Sequence, residues 1–567
     1  MTALVEKCLD RLWDLIRRSP WLALAVLTAM QTAFTLQSRA LWFSDEVRYA
    51  DAYAGLLRGR WLVLSLNGVA YPDKPPLYFW FLRALDAIPG VSDPAVFFLG
   101  AAASGLLVLY ATLALARALK LDDEAGASVG MAAGLILLST LFFSGLLHYS
   151  RMDLLFTALI IAAQAAFCLA FTPGNEVRRA RLNTLALFLA GLATLTKGPL
   201  GLLFPVLTTL LYLTWRGRAR EFFRAGMLPG LLALLALVFS WVLAAYFVEG
   251  PDFLRKIFVE QIFQRATKTF HHAEPFYFYL VAFPPCWLPW TLALLALPVR
   301  RLFDGDYWRA LYAGRKASSS VASLAPVADA KAWLWISFLS GLTLLSLLSG
   351  KVVVYILPQL PPLALLLALE LLGDKTPRPW RRLWTAAGIL FLGLAAVTTQ
   401  AERFLPVQMS LPGIWAVAGG FAACGLGLLL LRGQTARRVL PVLAILTALW
   451  VQPAAQSLSP ALDAIMSPKP QADVLKDYAA KGYLPVAHDI YQGIYSYYVG
   501  GVVRETAAYD TLDPLVAEKD VVLAIKKKHW DKWETRPRHM VVVLEQWLAG
   551  QPYYIAITDR KGVLKVP

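Results

Sequence analysis

The chain has 567 residues, 58% of them hydrophobic and only 16% charged, and carries a net charge of +16. So apolar a composition excludes an ordinary soluble enzyme and calls for a polytopic membrane protein. In that setting the excess of Lys and Arg is a matter of loop topology before it is a sign of nucleic-acid binding.

The stretch from Pro20 to Leu36 is apolar and runs into Gln37, Ser38 and Arg39 with no small-residue cleavage site, so it reads as a retained first helix. Further windows long enough to cross the hydrocarbon fall near 94–119, 126–147, 152–172, 181–196, 198–214, 226–248, 277–298, 332–349, 352–373, 381–399, 411–432 and 437–453, about thirteen in all. If the N-terminus is cytoplasmic, it and the loops near 117–124, 178–181, 216–224, 299–331, 374–382 and 432–438 carry 26 Lys and Arg, against four in the short loops of the other face. The positive-inside rule then sends the loops 38–93 and 249–276, and everything after about Gln456, to the outer face. Four scattered cysteines (Cys8, Cys168, Cys286, Cys424) without CxxC spacing predict neither disulfides nor structural zinc.

In the first outer loop Val47, Ala50, Ala54 and Leu57 recur at helical spacing, with Arg48, Asp51 and Arg58 largely on the other side. This predicts a surface helix ended near Gly59. Asp45 and Glu46 fall in its first turn, where they serve equally well as caps or as functional carboxylates. Glu46 points about 100° away from Asp45, and is expected to tolerate Gln better. The stretch NGVAYPDKPPLYFW is a turn opening a second helix; its prolines withhold backbone donors, leaving Lys74 either to hold an anion or to sit among lipid headgroups.

Arg151, Lys197 and Lys351 occupy very short outer loops, where they either snorkel or join Lys74 in a rim suited to phosphates. Asp153 opens a span two residues after Arg151, a costly place for a carboxylate unless it is paired. His271 and His272 are adjacent and diverge in extended chain, so metal binding is the minority reading; Asp73, Glu274 or Glu260 would have to complete such a site. Beyond Gln456 the runs LPVAHDI, VVRETAAY, DVVLAIKK, HMVVVLEQWL and YYIAITD predict a small α/β unit of about a hundred residues.

Taken in order, DEVRYADAY, NGVAYPDKPPLYFW, HYSRMDLLF, LTKGP, EGPDFLRKIFVEQIFQR with HHAEPFYFYL, and SGKVVVYILPQLPPLALLLA resemble the bacterial aminoarabinose transferases that modify lipid A, and more broadly the protein mannosyltransferases of the GT-C superfamily. The resemblance implies a mainly α, polytopic GT-C membrane fold over residues 1–455 and an outer α/β unit over 456–567. It implies an inverting glycosyltransferase of the bacterial inner membrane, acting on the periplasmic face. Its partners would be an undecaprenyl-phosphate sugar donor, lipid A or another envelope glycolipid as acceptor, and membrane lipids, with no nucleic acid. Carried over by position, Asp45 becomes the catalytic carboxylate and Asp153 a second acidic cavity residue. Arg48 and Lys74 become donor-phosphate contacts, and Lys351 with Tyr355 a cavity-lining loop. The family's Glu before Lys-Pro-Pro is replaced by Asp73, one methylene shorter, which puts in question a divalent-metal site formed by Asp73 with His271 or His272.

Chemistry supports the same class independently. A sugar on a lipid monophosphate carries its own leaving group, whose departing dianion needs cations such as Lys74, Arg48, Lys197 or Arg151. A transporter of lipid-linked sugars is the rival reading, but it calls for ionisable residues at mid-membrane and related halves, neither of which the sequence displays.

Overall fold

An apolar run in lipid has no water for its backbone groups and satisfies them most directly as helix. The computed structural model describes residues 3–36, 39–91, 93–122, 128–224, 226–264, 274–296, 305–306, 308–309, 326–373 and 380–560, and each window holds helix. Among the described residues, seven helices are long and apolar enough to cross a membrane by length and composition. Of the remaining windows, Arg179–Lys197 has the length but is less apolar, bearing Arg179, Arg181 and Lys197, and the others are shorter or broken: Thr140 is extended and ends one helix, and Pro284 and Pro285 lie within Phe278–Cys286 with Pro289 just beyond it.

The chain opens with α1 (Ala3–Arg18) and α2 (Pro20–Thr32), followed by α3 (Asp45–Leu57), α4 (Leu77–Asp86), α5 (Ala95–Ala118), α6 (Val129–Ser139), α7 (Leu141–Leu146), α8 (Asp153–Phe171), α9 (Arg179–Lys197) and α10 (Leu200–Trp215). Helix α8 is the buried centre, packed against α5, α9 and α10. Small residues allow such close approach where no water drives association. At Gly105 of α5, for example, a Cβ would lie 1.8 Å from a Leu147 methyl.

Helix α3 stops as the sequence predicts, with Gly59 at φ +102° just beyond its end. A hairpin follows, β1 (Ser65–Leu66) and β2 (Val69–Ala70), whose two turn residues Asn67 and Gly68 both have positive φ, the tight turn that Asn-Gly favours. The Pro75-Pro76 pair then leads into α4. One expectation changes: the second face of α3 is covered. Asp51 is buried and its Oδ2 accepts from the Asn67 N–H at 2.6 Å, because the C-terminal unit lies over it.

In that unit the five runs, which the sequence leaves as short β runs or helix pieces, each hold a strand: β3 (Leu484–His488), β4 (Arg504–Thr506), β5 (Val521–Lys526), β6 (Met540–Leu548) and β7 (Gln551–Thr558), ordered β4-β3-β5-β7-β6. Strand β3 is parallel to β4 and β5, and β7 is antiparallel to β5 and β6. Alternating side chains supply two cores, Ala487, Val522 and Ala524 against the Lys469–Ala480 helix, and Val486, Leu523 and Ile525 against Tyr509–Glu518.

The strap 39–43 joins the two parts. Asp463 accepts from the Ala40 N–H and the Trp42 indole, the Phe43 N–H donates to Met466, and the Leu41 N–H donates to the Tyr498 hydroxyl. Inside the strap, Arg39 grips Glu46 through two bonds of 2.6 and 2.8 Å, with both side chains essentially without solvent contact. Glu46 also accepts the Trp42 and Ser150 N–H groups, while Arg39 donates to the Ala40 and His148 carbonyls. Arg39→Met would strand the Glu46 charge in a buried site, and should lower unfolding stability by about 3–5 kcal/mol. Thermal unfolding of the detergent-solubilised variant measures this; an unchanged midpoint would deny the pair its structural role.

Candidate functional site

Three element ends meet beneath the strap. Asp45 lies in the first turn of α3, Asp153 opens α8, and Lys197 closes α9. Carboxylates at helix starts and an ammonium at a helix end complement the helix dipoles, so each charge is locally favoured before any pairing. Ser44 at the N-cap of α3 makes no capping bond through its side chain. Asp45 is paired across space instead: Arg151 Nη1 lies 2.5 Å from its Oδ2.

Arg151 also bonds the Asp153 carboxylate through Nε at 3.0 Å, and Lys197 Nζ contacts the other oxygen of Asp153. The result is a chain of alternating charge, Asp45, Arg151, Asp153, Lys197. Asp153 is buried at its inner part, while Asp45 at the outer end keeps a side-chain exposure of 24%. Lys197 caps the ring of Tyr355, with Nζ 4.0 Å from the centroid, and so brings the 353–359 segment to the same place. Five residues singled out in widely separated parts of the sequence thus form one cluster.

Arg48 stands one turn along α3 from Asp45. Its guanidinium lies 5.4 Å from the centre of the Tyr71 ring, and its Nε donates to the Gln492 carbonyl at 3.1 Å. Burial opposes its charge, but Tyr71, Asp45 and Asp73 overcome this and raise its pKa above the ordinary guanidinium value. Lys74 and Asp73 are half-buried in the turn before α4. Lys351 is placed differently. Its buried ammonium donates to the Glu274 and Leu348 carbonyls at 2.8 and 2.5 Å, tying two chain segments together beside the Val352–Tyr279 contact.

Of the expected metal ligands Asp73, His271 and His272, Asp73 lies among the described residues. His271 and His272 lie outside the described residues, and no group of three His, Cys, Asp or Glu among the described residues could hold an ion. Arg48 within electrostatic reach of Asp73 is a poor neighbour for a divalent cation. The four cysteines are unpaired, Cys8 exposed and the others buried.

Sequence reasoning missed Arg39, Glu46, Asp51 and Gln492. Glu46 had a legible signal: with Ala50 and Tyr53 it follows the i, i+4, i+7 spacing of a buried stripe. Gln492 had none, since it reaches the site across 444 residues.

Asp153 and Lys197 form a buried couple, so each single change, Asp153→Asn or Lys197→Met, should destabilise more than the two together. A double-mutant cycle on unfolding stability is expected to give a coupling of about 1–3 kcal/mol. Simple additivity would mean that Arg151 alone satisfies Asp153.

Residues 73–244 match the family model of dolichyl-phosphate-mannose-protein mannosyltransferases. The undecaprenyl phosphate-alpha-4-amino-4-deoxy-L-arabinose arabinosyl transferase of Pseudomonas paraeruginosa is 32% identical over 421 residues, 71% of this chain and 71% of that protein. The protein of the same name from Aeromonas salmonicida is 32% identical over 370 residues, 64% of this chain and 63% of its own. Among solved structures, ArnT from Cupriavidus metallidurans bound to undecaprenyl phosphate superposes with a TM-score of 0.74 at 18% identity, covering 95% of this chain and 98% of that one. That likeness shows a common polytopic GT-C membrane fold. With a third of its residues shared over more than two thirds of a curated relative, the chain belongs to the family of undecaprenyl phosphate-aminoarabinose arabinosyl transferases.

Proposed function

We propose that this protein transfers 4-amino-4-deoxy-arabinose, or a closely related sugar, from undecaprenyl phosphate to lipid A on the periplasmic face of the bacterial inner membrane. The observation that carries the reading is the partly exposed Asp45, held by Arg151 at the open end of a buried charge chain and one helical turn from Arg48. The names of the relatives supply the donor and the sugar. The excess of Lys and Arg in the loops of the opposite face supports the orientation. Residues 456–567 then form an outer unit that closes over the site.

The chemistry follows from charge. When the bond between the sugar C1 and the phosphate oxygen breaks, the leaving group becomes a dianion, and Lys74 and Arg48 supply the positive charge that stabilises it. Positive charge developing on the sugar ring is met by Asp45 from the other side, consistent with inversion. With a hydroxyl acceptor Asp45 also takes the proton. A phosphate acceptor brings its own anion, and Asp45 then orients it. Arg151 and Lys197 serve this step through Asp45 and Asp153, whose positions they fix. Tyr355 stands against Lys197 in the same cluster.

Mass spectrometry of envelope lipids from cells with and without the gene tests the reading. An aminopentose mass on lipid A that depends on the gene is expected; unchanged glycolipids with lipid-linked sugar accumulating in the wrong leaflet would favour a transporter. Purified Asp45→Asn should insert and bind undecaprenyl phosphate normally, yet lose turnover by about 10³-fold or more. Near-normal turnover would reduce Asp45 to a helix-end charge.

Lys74→Ala should weaken undecaprenyl phosphate binding more than binding of neutral undecaprenol, with Lys74→Arg a partial rescue because a planar fork replaces a compact charge. Equal losses for the two lipids would move the phosphate role to Arg48.

A further inference from the structure

Beside Arg48 the C-terminal unit contributes the loop between β3 and Ser496, and the contact with Arg48 is made by backbone. The Gln492 carbonyl accepts from Arg48 Nε, and its side-chain amide donates to the Leu66 carbonyl at 3.3 Å. The Gly493 N–H donates to the Glu505 carboxylate at 3.1 Å. Gly493 has φ +77°, and a Cβ there would lie 3.2 Å from both the Asp51 Oδ2 and a Leu66 methyl. A glycine is therefore needed twice, for its backbone conformation and for its close approach to α3. Beside it the Asn67 amide exchanges two hydrogen bonds with the Val503 backbone, at 2.6 and 2.9 Å, which fixes the hairpin to the same unit.

We infer that the loop Asp489–Gly493 is a positioning element for the donor phosphate: by holding Arg48 through the Gln492 carbonyl, it makes the C-terminal unit part of the binding site. An arginine carries its donors in a planar fork. Anchoring Nε fixes the plane of that fork and leaves the edge formed by the two Nη groups for paired contacts with phosphate oxygens. Without the carbonyl the charge stays, but its direction is lost. The inference rests on the reading above that Arg48 meets the donor phosphate, and gives that residue its orientation.

The test uses full-length protein in lipid nanodiscs and two probes, undecaprenyl phosphate and undecaprenol. Gly493→Val should push the loop off α3 and reduce the preference for the phosphate by about tenfold, the size of one charge-assisted contact. In an Arg48→Ala background the same substitution should change the preference no further. If Gly493→Val does not fold, Asn67→Ala, which removes both bonds to Val503 and so loosens the C-terminal unit against the hairpin beside Arg48, should lower the preference in the same direction. Equal loss for both probes, or a full additional loss in the Arg48→Ala background, would overturn the inference by showing that the loop acts on stability or through another group. A wild type that does not distinguish phosphate from alcohol would overturn the reading of Arg48 itself. Preference retained in Gly493→Val or Asn67→Ala, with wild type still selective, would overturn the positioning role alone.

Discussion

The arrangement depends on the buried pair of Arg39 and Glu46. Between them they engage the strap, the start of α3, and the His148 and Ser150 backbone just before Arg151. These are the segments that carry Asp45 and Arg151. A buried ion pair gives little net stability by itself, because desolvating two charges offsets most of their attraction. What it does impose is geometry: four donors converge on one carboxylate, and any displacement of α3 relative to the 148–151 turn leaves a buried charge unsatisfied. Arg39 also lies over the rings of Trp42 and Phe98, 4.2 and 4.4 Å from their centres, so its own position is fixed by packing.

Above this layer sits a second one with a different character. Asp45, Arg151, Asp153 and Lys197 carry two charges of each sign, so the chain is neutral as a whole and tolerable where little water reaches it. An unbalanced set of cations would bind phosphate tightly in the resting state. A balanced set instead holds carboxylates in fixed places, and the phosphate contacts proposed above fall to Arg48 on α3 and Lys74 in the turn before α4. The expectation of one common cationic rim is thereby divided: Arg151 and Lys197 serve carboxylates, Lys351 serves backbone carbonyls, and Arg48 and Lys74 lie on α3 and in the turn before α4.

Much of this was legible in the sequence because local physics determined it. Helical windows, the end of α3 at Gly59, a turn at Asn67-Gly68, the Pro-Pro helix start and the short regular runs of the tail all follow from runs, turns and periods within a few residues. The candidate residues were legible as charges in costly places, and the cost of Asp153 correctly implied a partner. The choice of partners was not legible. Asp153 could have been satisfied by Arg151 alone, and only the packing of α9 against α8 brings Lys197 to it. Glu46 was read as a bystander because helical geometry separates it from Asp45, yet that same rotation is what turns it into the core. The face of α3 bearing Asp51 read as exposed since periodicity records only that a side is polar, not that a polar partner covers it.

Helix α3 shows why the covering matters. It has 13 residues, and a helix of that length is marginal in water without tertiary contacts. Its own apolar stripe packs on Tyr78, Phe79 and Phe97 of the membrane part, while Asp51 and Arg48 meet Asn67, Gly493 and Gln492 on the other side. Neither contact set alone buries the helix. Asp45 therefore obtains a fixed position from the membrane part through Glu46 and Arg151, and Arg48 obtains one from the C-terminal unit. The carboxylate and the guanidinium that the proposed chemistry sets on opposite sides of the breaking bond are held by different halves of the molecule, and a single short helix sets the distance between them.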